Sequence, residues 1–226
     1  YFREIALVMK DRKTGTGSRK IYRIYEIPKK YSMKRKGGNM VYICKYKSPL
    51  GDILLAADEI GLTGLWFEGQ NYFADTLPDE HIQQETEILT ETKKWLDMYF
   101  AGEEPKFTPH LHPAGSEFRQ AVWKILLQVP YGQTISYGEI ARKMAEMKKI
   151  SHMSAQAVGG AVGHNEIAII IPCHRVVGAN GNLTGYAGGI DKKISLLELE
   201  HADMRRLFLP QKVTAGEMVS FLTENL

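Results

Sequence analysis

The 226 residues hold two cysteines, Cys44 and Cys173, and only the second stands among residues that could make it a reagent. Cys173 follows the apolar run Ile167-Ala168-Ile169-Ile170-Ile171 and Pro172, and precedes His174 and Arg175. Proline fixes its own φ and has no amide proton to donate, so the chain must leave regular pairing just before the thiol. The run therefore reads as a buried segment that delivers Cys173 to a turn or a sheet edge. Inert buried cysteines are common. Two adjacent cationic side chains instead favour thiolate, because such neighbours bring reactive thiols from about 8.5 down to roughly 3.5–7.5. The setting favours a nucleophile.

A thiol nucleophile needs a base. On an extended segment neighbouring side chains point to opposite faces, so His174 reaches the Cys173 proton only through a bridging water or a turn that brings the two together. The imidazole needs an orienting partner in its turn. Glu200 could supply it from a helix predicted to begin near Asp191, with Ile194, Leu197 and Leu196 toward the core. Spacing alone leaves Glu198 and Glu200 equally open to being ordinary surface acids. Beyond the cysteine, Val176–Leu183 predicts two short strands around the Asn180-Gly181 turn, a wing-like β-ribbon. Gly185-Tyr186-Ala187-Gly188-Gly189 follows as a loop able to bring backbone amides close to a planar ligand.

The elements that must position this chemistry are legible upstream. A helix from Ser116 to about Gln128 buries Phe118, Val122, Ile125 and Leu126 and stops at Pro130 and Gly132. Ser136-Tyr137-Gly138-Glu139 is a capping box that starts a second helix. A third runs from Ser151 to Val162, giving helix-turn-helix spacing with a turn near Lys148–Ile150. Its Ala155, Ala157, Gly159, Gly160 and Ala161 allow close backbone approach, either to a ligand surface or to a neighbouring helix. Before these, Val41–Lys47, Asp52–Ala57 and Leu62–Glu68 form an antiparallel meander, and Asp79 can cap a helix over His81–Phe100. Pro105, Pro109 and Pro113 mark residues 101–115 as a linker, where His110 and His112 read as solvated rather than metal-binding.

Composition, 44% hydrophobic and 24% charged, is that of a globular protein. With two cysteines there is no disulfide framework, and no apolar run spans a bilayer, so an intracellular, cytoplasmic protein without membrane contact is expected. The net charge of +3 is uneven: residues 1–39 carry twelve Lys or Arg against three acids, leaving seventeen against twenty-three. Residues 1–39 read as a flexible basic leader, so charge alone says little about nucleic acid. Residues 40–100 read as an N-terminal domain, 116–201 as a second, and 202–226 as a tail whose Thr214-Ala215-Gly216-Glu217 predicts a short helix.

Ile171-Pro172-Cys173-His174-Arg175-Val176-Val177, with Gly185-Tyr186-Ala187-Gly188-Gly189 after it and Ala157-Val158-Gly159-Gly160-Ala161 before it, resembles the methylated-DNA–protein-cysteine methyltransferase (O6-alkylguanine-DNA alkyltransferase) family. The resemblance covers about Met40 to Glu200 and includes Ser48-Pro49-Leu50-Gly51. It implies an α+β fold, an RNase-H-like α/β domain followed by a helical, winged helix-turn-helix domain. It implies alkylated double-stranded DNA as partner, a monomer, and a single transfer of the alkyl group to Cys173. O6-alkylguanine would be the substrate, with O4-alkylthymine a second candidate. By the same resemblance Cys173, His174, Glu200, Asn165 and Tyr137 carry the chemistry, and Tyr137, Gln156, Val176, Tyr186 and Ala187 bind the extruded base. Ala155, Gln156, Ala157, Gly159 and Arg175 would meet DNA, through the minor groove. Gln156 stands where the family uses an arginine to fill the space the flipped base leaves. No cofactor is implied; some members hold zinc in the N-terminal domain, where this chain has only Cys44, so no metal is expected. A damage sensor on the same fold, a helix-turn-helix regulator and a cysteine hydrolase are the competing readings. The first lacks the nucleophile, the second needs no thiol, and the third needs a direct His-to-thiol contact.

Overall fold

The computed structural model describes residues 40–209. The basic leader and the helix expected around Thr214 lie outside them. Strands β1 (Val41–Ser48), β2 (Gly51–Ala57) and β3 (Leu62–Phe67) form the expected meander. The first hairpin closes at Pro49-Leu50, where Gly51 takes a φ of 115° and the Ser48 hydroxyl donates to the Gly51 carbonyl at 2.6 Å. Period-two alternation splits β2 between two faces: Ile53, Leu55 and Ala57 enter the main core, whereas Leu54 and Ala56 pack with Val41 and Trp66 on the other side.

The helix expected over His81–Phe100 is shorter and begins later. His81–Gln83 forms a short strand, β4, parallel to β1 on its open edge, giving the order β3-β2-β1-β4. Backbone groups that find a sheet edge have no need of a helix, so the cap is Thr86 rather than Asp79; its hydroxyl accepts from the Leu89 amide. Helix α1 (Glu87–Phe100) then buries Leu89, Trp95, Leu96 and Tyr99. The proline-rich segment after it lies along β3, with the Leu62 amide donating to the His110 carbonyl at 2.7 Å and His112 paired to Asp58 at 2.7 Å.

Helices α2 (Glu117–Leu126), α3 (Tyr137–Lys148) and α4 (Ala155–Gly163) are each capped by a serine, Ser116, Ser136 and Ser154. The capping box is formed, Glu139 N–H donating to Ser136 Oγ at 3.1 Å and Ser136 N–H to Glu139 Oε2 at 2.8 Å. α4 starts later than expected because Ser154, not Ser151, takes the free amide of the first turn, that of Ala157. Strand β5 (Ile135–Ser136) pairs in parallel with β6 (Val176–Val177). Helix α5 (Ile190–Leu199) closes the order.

The Asn180-Gly181 turn is real, with φ of 58° and 89°, but no free β-ribbon forms. Its first arm is taken by β5, and its second by the segment after α5, where Leu183 N–H donates to the Phe208 carbonyl at 2.8 Å. The sheet and the helices share one core: Leu65 bridges Ile167, and the Trp66 indole donates to Glu166 at 3.1 Å. Among the described residues no helix is long and apolar enough to cross a membrane. Replacing Ser136 with Ala removes the hydroxyl arm of the capping box and leaves the backbone amide of position 136 its bond to Glu139; the expected loss is about 1 kcal/mol, read as a lower urea midpoint with an unchanged slope.

Candidate active site

The apolar run before Cys173 is buried but not extended. Ile169 takes a φ of 67°, and the chain turns through Ala168–Ile170. The loop bonds itself by tight turns, Ile171 N–H to the Ile167 carbonyl at 3.0 Å and Cys173 N–H to the Ile171 carbonyl at 2.8 Å, and Asn165 adds a side-chain donor to both carbonyls. Its Nδ2 donates to the carbonyls of Ile171 (2.8 Å) and Ile167 (3.3 Å) and approaches Cys173 Sγ at 3.0 Å, while its Oδ1 accepts from the Ile167 amide at 3.1 Å. Pro172 then leads into a single 3₁₀ turn, Cys173–Arg175.

Cys173 is 4% exposed. Burial pushes its thiol above the ordinary value, and the Asn165 amide and the Lys193 charge only partly offset this. The expected electropositive activation by Arg175 is not what the structure provides. The guanidinium turns away and grips Glu200 with two bonds, Nε at 2.8 Å and Nη2 at 2.9 Å, while Nη1 donates to the Val129 carbonyl at 2.6 Å. Its side chain is 11% exposed, so the residue expected at the DNA face is placed inside. The charge goes to the carboxylate that a fully buried group at that position requires.

His174 is fully buried, and its Nε2 lies 2.7 Å from Glu200 Oε1. Burial lowers its pKa against the opposing pull of Glu200, so the ring is neutral at neutral pH. With Glu200 on Nε2, the network assigns the proton there and leaves Nδ1 as the basic nitrogen. Nδ1 has no hydrogen-bond partner among the described residues, and the sulfur bonds Asn165, not His174. Direct His-to-thiol contact, which a cysteine hydrolase would need, is not made. Burial alone would raise Glu200, but hydrogen bonds from His174 and Arg175 and the Arg175 charge hold its carboxyl well below the usual carboxylate range. The Tyr99 hydroxyl, from α1, adds a 2.7 Å bond to Oε1, and the Gly132 amide a 3.1 Å bond to Oε2.

Lys193 was not singled out by the sequence reading. It is fully buried, and its Nζ donates to the carbonyls of Val176 (2.6 Å), Thr184 (2.8 Å) and Gly185 (3.3 Å). Burial pushes its pKa down to about 8, with Cys173 opposing. The available signal was its phase on α5, since positions 193, 196, 197 and 200 share one helical face.

The thiol opens into a cavity of about 170 Å³ whose lining includes Tyr137, Gly159, Tyr186 and Ala187. Val176, expected to offer its carbonyl here, already accepts from Lys193, and a carbonyl has a second lone pair. The Tyr186 hydroxyl is buried and has no partner among the described residues. α4 roofs this cavity. Val158, Ala161 and Val162 face the core, and Gly159 lies against the Tyr137 ring, so that a Cβ there would stand 3.8 Å away. Ala155, Gln156 and Ala157 are exposed. The helix thus packs one face into the core and leaves its other, small-residue face bare.

Fold and site together define a class: an α+β protein in which a helix with a bare, small-residue face roofs a buried thiol backed by an imidazole–carboxylate pair. The family model for the 6-O-methylguanine DNA methyltransferase ribonuclease-like domain matches residues 41–113, and that for the DNA-binding domain of the same proteins matches residues 117–202. A methylated-DNA–protein-cysteine methyltransferase of Methanosarcina acetivorans is 46% identical over 161 residues, 71% of this chain and 98% of its own length. One from Haemophilus influenzae is 38% identical, over 71% of this chain and 86% of its length. The crystal structure of Mycobacterium tuberculosis OGT in complex with DNA is similar at TM-score 0.61 and 42% identity, covering 71% of this chain and 92% of that one. The chain belongs to the methylated-DNA–protein-cysteine methyltransferase family.

Glu200→Gln leaves the Arg175 guanidinium without its charge partner, and the expected loss at pH 7 is about 3–5 kcal/mol. Because the folded state depresses this carboxyl's pKa, its contribution is full above the unfolded value of about 4.3 and shrinks by about 1.4 kcal/mol per pH unit below it. Urea melts of parent and variant should therefore converge as pH falls from 5 toward 3; a gap that stays constant would sink this account of Glu200.

Proposed function

We propose that the chain repairs O6-alkylguanine in double-stranded DNA by moving the alkyl group once, irreversibly, onto Cys173 Sγ. The observation that carries the reading is the thiol at the floor of a cavity roofed by α4, bonded to Asn165 and backed by His174 and Glu200. A base inside a duplex cannot reach a sulfur so recessed, so the damaged guanine rotates out of the stack, which costs a few kcal/mol. Gln156, exposed in the first turn of α4, fills the space left behind. The Ala187 amide and the Tyr186 ring hold the base, and the free lone pair of the Val176 carbonyl accepts from its 2-amino group.

The thiol is protonated at rest, so attack begins with proton loss. A bridging water passes the proton to His174 Nδ1, and the buried Glu200 carboxylate stabilises the imidazolium that forms. The thiolate attacks the alkyl carbon in line; the S–C bond forms as the C–O6 bond breaks, and its electron pair leaves with guanine. Tyr137, whose hydroxyl burial and Cys173 both keep protonated, donates to the leaving base and recovers its proton from His174 by way of solvent. The thioether has no route back, so each molecule reacts once. The protein acts as a monomer inside the cell, with O4-alkylthymine a second substrate, and needs no cofactor. A sensor of the same fold would need no nucleophile, and Cys173 stands against that reading.

Incubation with duplex DNA containing O6-methylguanine should add one methyl to the intact mass, mapped to Cys173, saturating at one per molecule and lost in Cys173→Ala. A parent that binds the lesion under reducing conditions yet gains no mass would put the sensor in its place. Glutamine lacks the charge and planar stacking of arginine, so Gln156→Arg should speed transfer from duplex substrate about tenfold, or about 1.4 kcal/mol in barrier. Transfer from the free base O6-benzylguanine, which needs no extrusion, should stay unchanged. Equal effects on both would exclude a role for position 156 in flipping.

A further inference from the structure

One wall of the Cys173 cavity comes from the other half of the fold. Asn71 and Tyr72, in the loop after β3, line it together with Cys173, Tyr186 and Ala187. The loop is anchored on both sides of them. Gln70 is buried and its Oε1 accepts from the Phe67 amide at 2.9 Å, and Thr76 donates to Glu166 at 3.0 Å. Asn71 N–H donates to the Ala187 carbonyl at 3.0 Å, tying the loop to the segment that faces the cavity.

Tyr72 holds a left-handed φ of 59°, a conformation aromatic residues rarely adopt and one that persists only where surroundings impose it. Here its ring stacks on His164, centroids 4.0 Å apart and planes 27° from parallel. His164 caps the C-terminal end of α4, and its Nδ1 is 2.8 Å from the Gly160 carbonyl, which fixes the platform. Gln156 lies eight residues earlier on the same helix, about 12 Å away at 1.5 Å per residue. The Tyr72 side of the cavity thus lies toward the C-terminal end of α4, away from Gln156.

We infer that Asn71 and Tyr72 set the largest adduct the protein accepts, acting as the wall against which the alkyl group rests. This rests on the alkyl-transfer reading above. With the base entering from the Gln156 end and its alkyl carbon held at Sγ, every atom beyond that first carbon must extend into what remains of the cavity. Tyr186 and Ala187 occupy the side of the base, α3 and α4 supply Tyr137, Gly159 and Val162, and Asn71 and Tyr72 are the wall that the N-terminal half contributes. Tyr72 is 45% exposed, and Gln70, Thr76 and His164 anchor the loop on either side of it and beneath its ring.

The test is the ratio of single-turnover rates on one duplex sequence carrying O6-benzylguanine or O6-methylguanine, for the parent, Tyr72→Ala, Tyr72→Phe and His164→Ala. Removing the ring should raise the benzyl-to-methyl ratio by about tenfold, within the range that steric differences in an apolar pocket produce. Tyr72→Phe keeps the stack and should keep the parent ratio. His164→Ala removes the platform without touching the loop and should move the ratio in the same direction as Tyr72→Ala, which serves if the latter does not fold. A ratio that stays within about threefold of the parent in both alanine variants, or falls, overturns the inference while leaving methyl transfer intact. A parent that takes up neither group overturns the transfer reading, and this inference with it.

Discussion

A carboxylate sealed from water is tolerated only if its charge and lone pairs are met on every side, and Glu200 is where this fold satisfies that condition. Tyr99 comes from α1, Gly132 from the turn after α2, His174 and Arg175 from the 3₁₀ turn, and the carboxylate itself from the C-terminal cap of α5. Four separate segments converge on one group, so each is held in place by the others. Gly132 shows how tight the junction is: at φ 72°, a Cβ there would stand 2.6 Å from the Glu200 carbonyl. The same bonds that stabilise the fold orient the imidazole, and loss of one donor disturbs the other three.

Two further side chains do for irregular backbone what strands and helices do for themselves. Buried carbonyls require donors, and the loops on either side of Cys173 offer few from the main chain. Asn165 satisfies the loop before the thiol and Lys193 the loop after it. Lysine suits this task because a single Nζ carries three donors, enough for the three carbonyls that face it. The cost of burying its charge shows in the pKa of about 8. The reactive turn is thus suspended between two polar anchors on rigid elements, an arrangement that keeps a nucleophile in place before substrate arrives.

Local interactions were readable from the sequence, and distant ones were not. The Ser136–Glu139 box, the three-strand meander and the Asn180-Gly181 turn each depend on neighbours within a few residues. His81–Gln83 could not be told from the start of a helix, because what makes it a strand is the free edge of β1, about 40 residues earlier. The Asn-Gly turn was correct, yet beyond the single Gly178 N–H bond to the Asn182 carbonyl its arms pair with Ile135–Ser136 and Phe208. Glu200 could be singled out over Glu198 only by family resemblance. Tyr99 lies 101 residues from the carboxylate it binds, and nothing in its surroundings marks it. Arg175 was misplaced for a related reason: beside a cysteine an arginine reads as an activating charge, and only the folded chain shows that a buried acid claims it.

That reassignment changes how the thiol is controlled. With Arg175 neutralised and burial dominant, Cys173 rests as the thiol, not as the thiolate its neighbours suggested. Thiolate character and exposure together govern oxidation and off-target alkylation, and the resting protein offers neither. If, as proposed, each molecule transfers once, a thiol spent in such a side reaction is a molecule lost. In the proposed mechanism activation belongs to the loaded site: a base filling the cavity would exclude bulk water and present the alkyl carbon, while His174, neutral and with no partner at Nδ1 among the described residues, would take the proton. On that reading, burial that slows the free thiol and a relay that frees it at the moment of use are two parts of one device, and the relay depends on Glu200 remaining charged inside the fold.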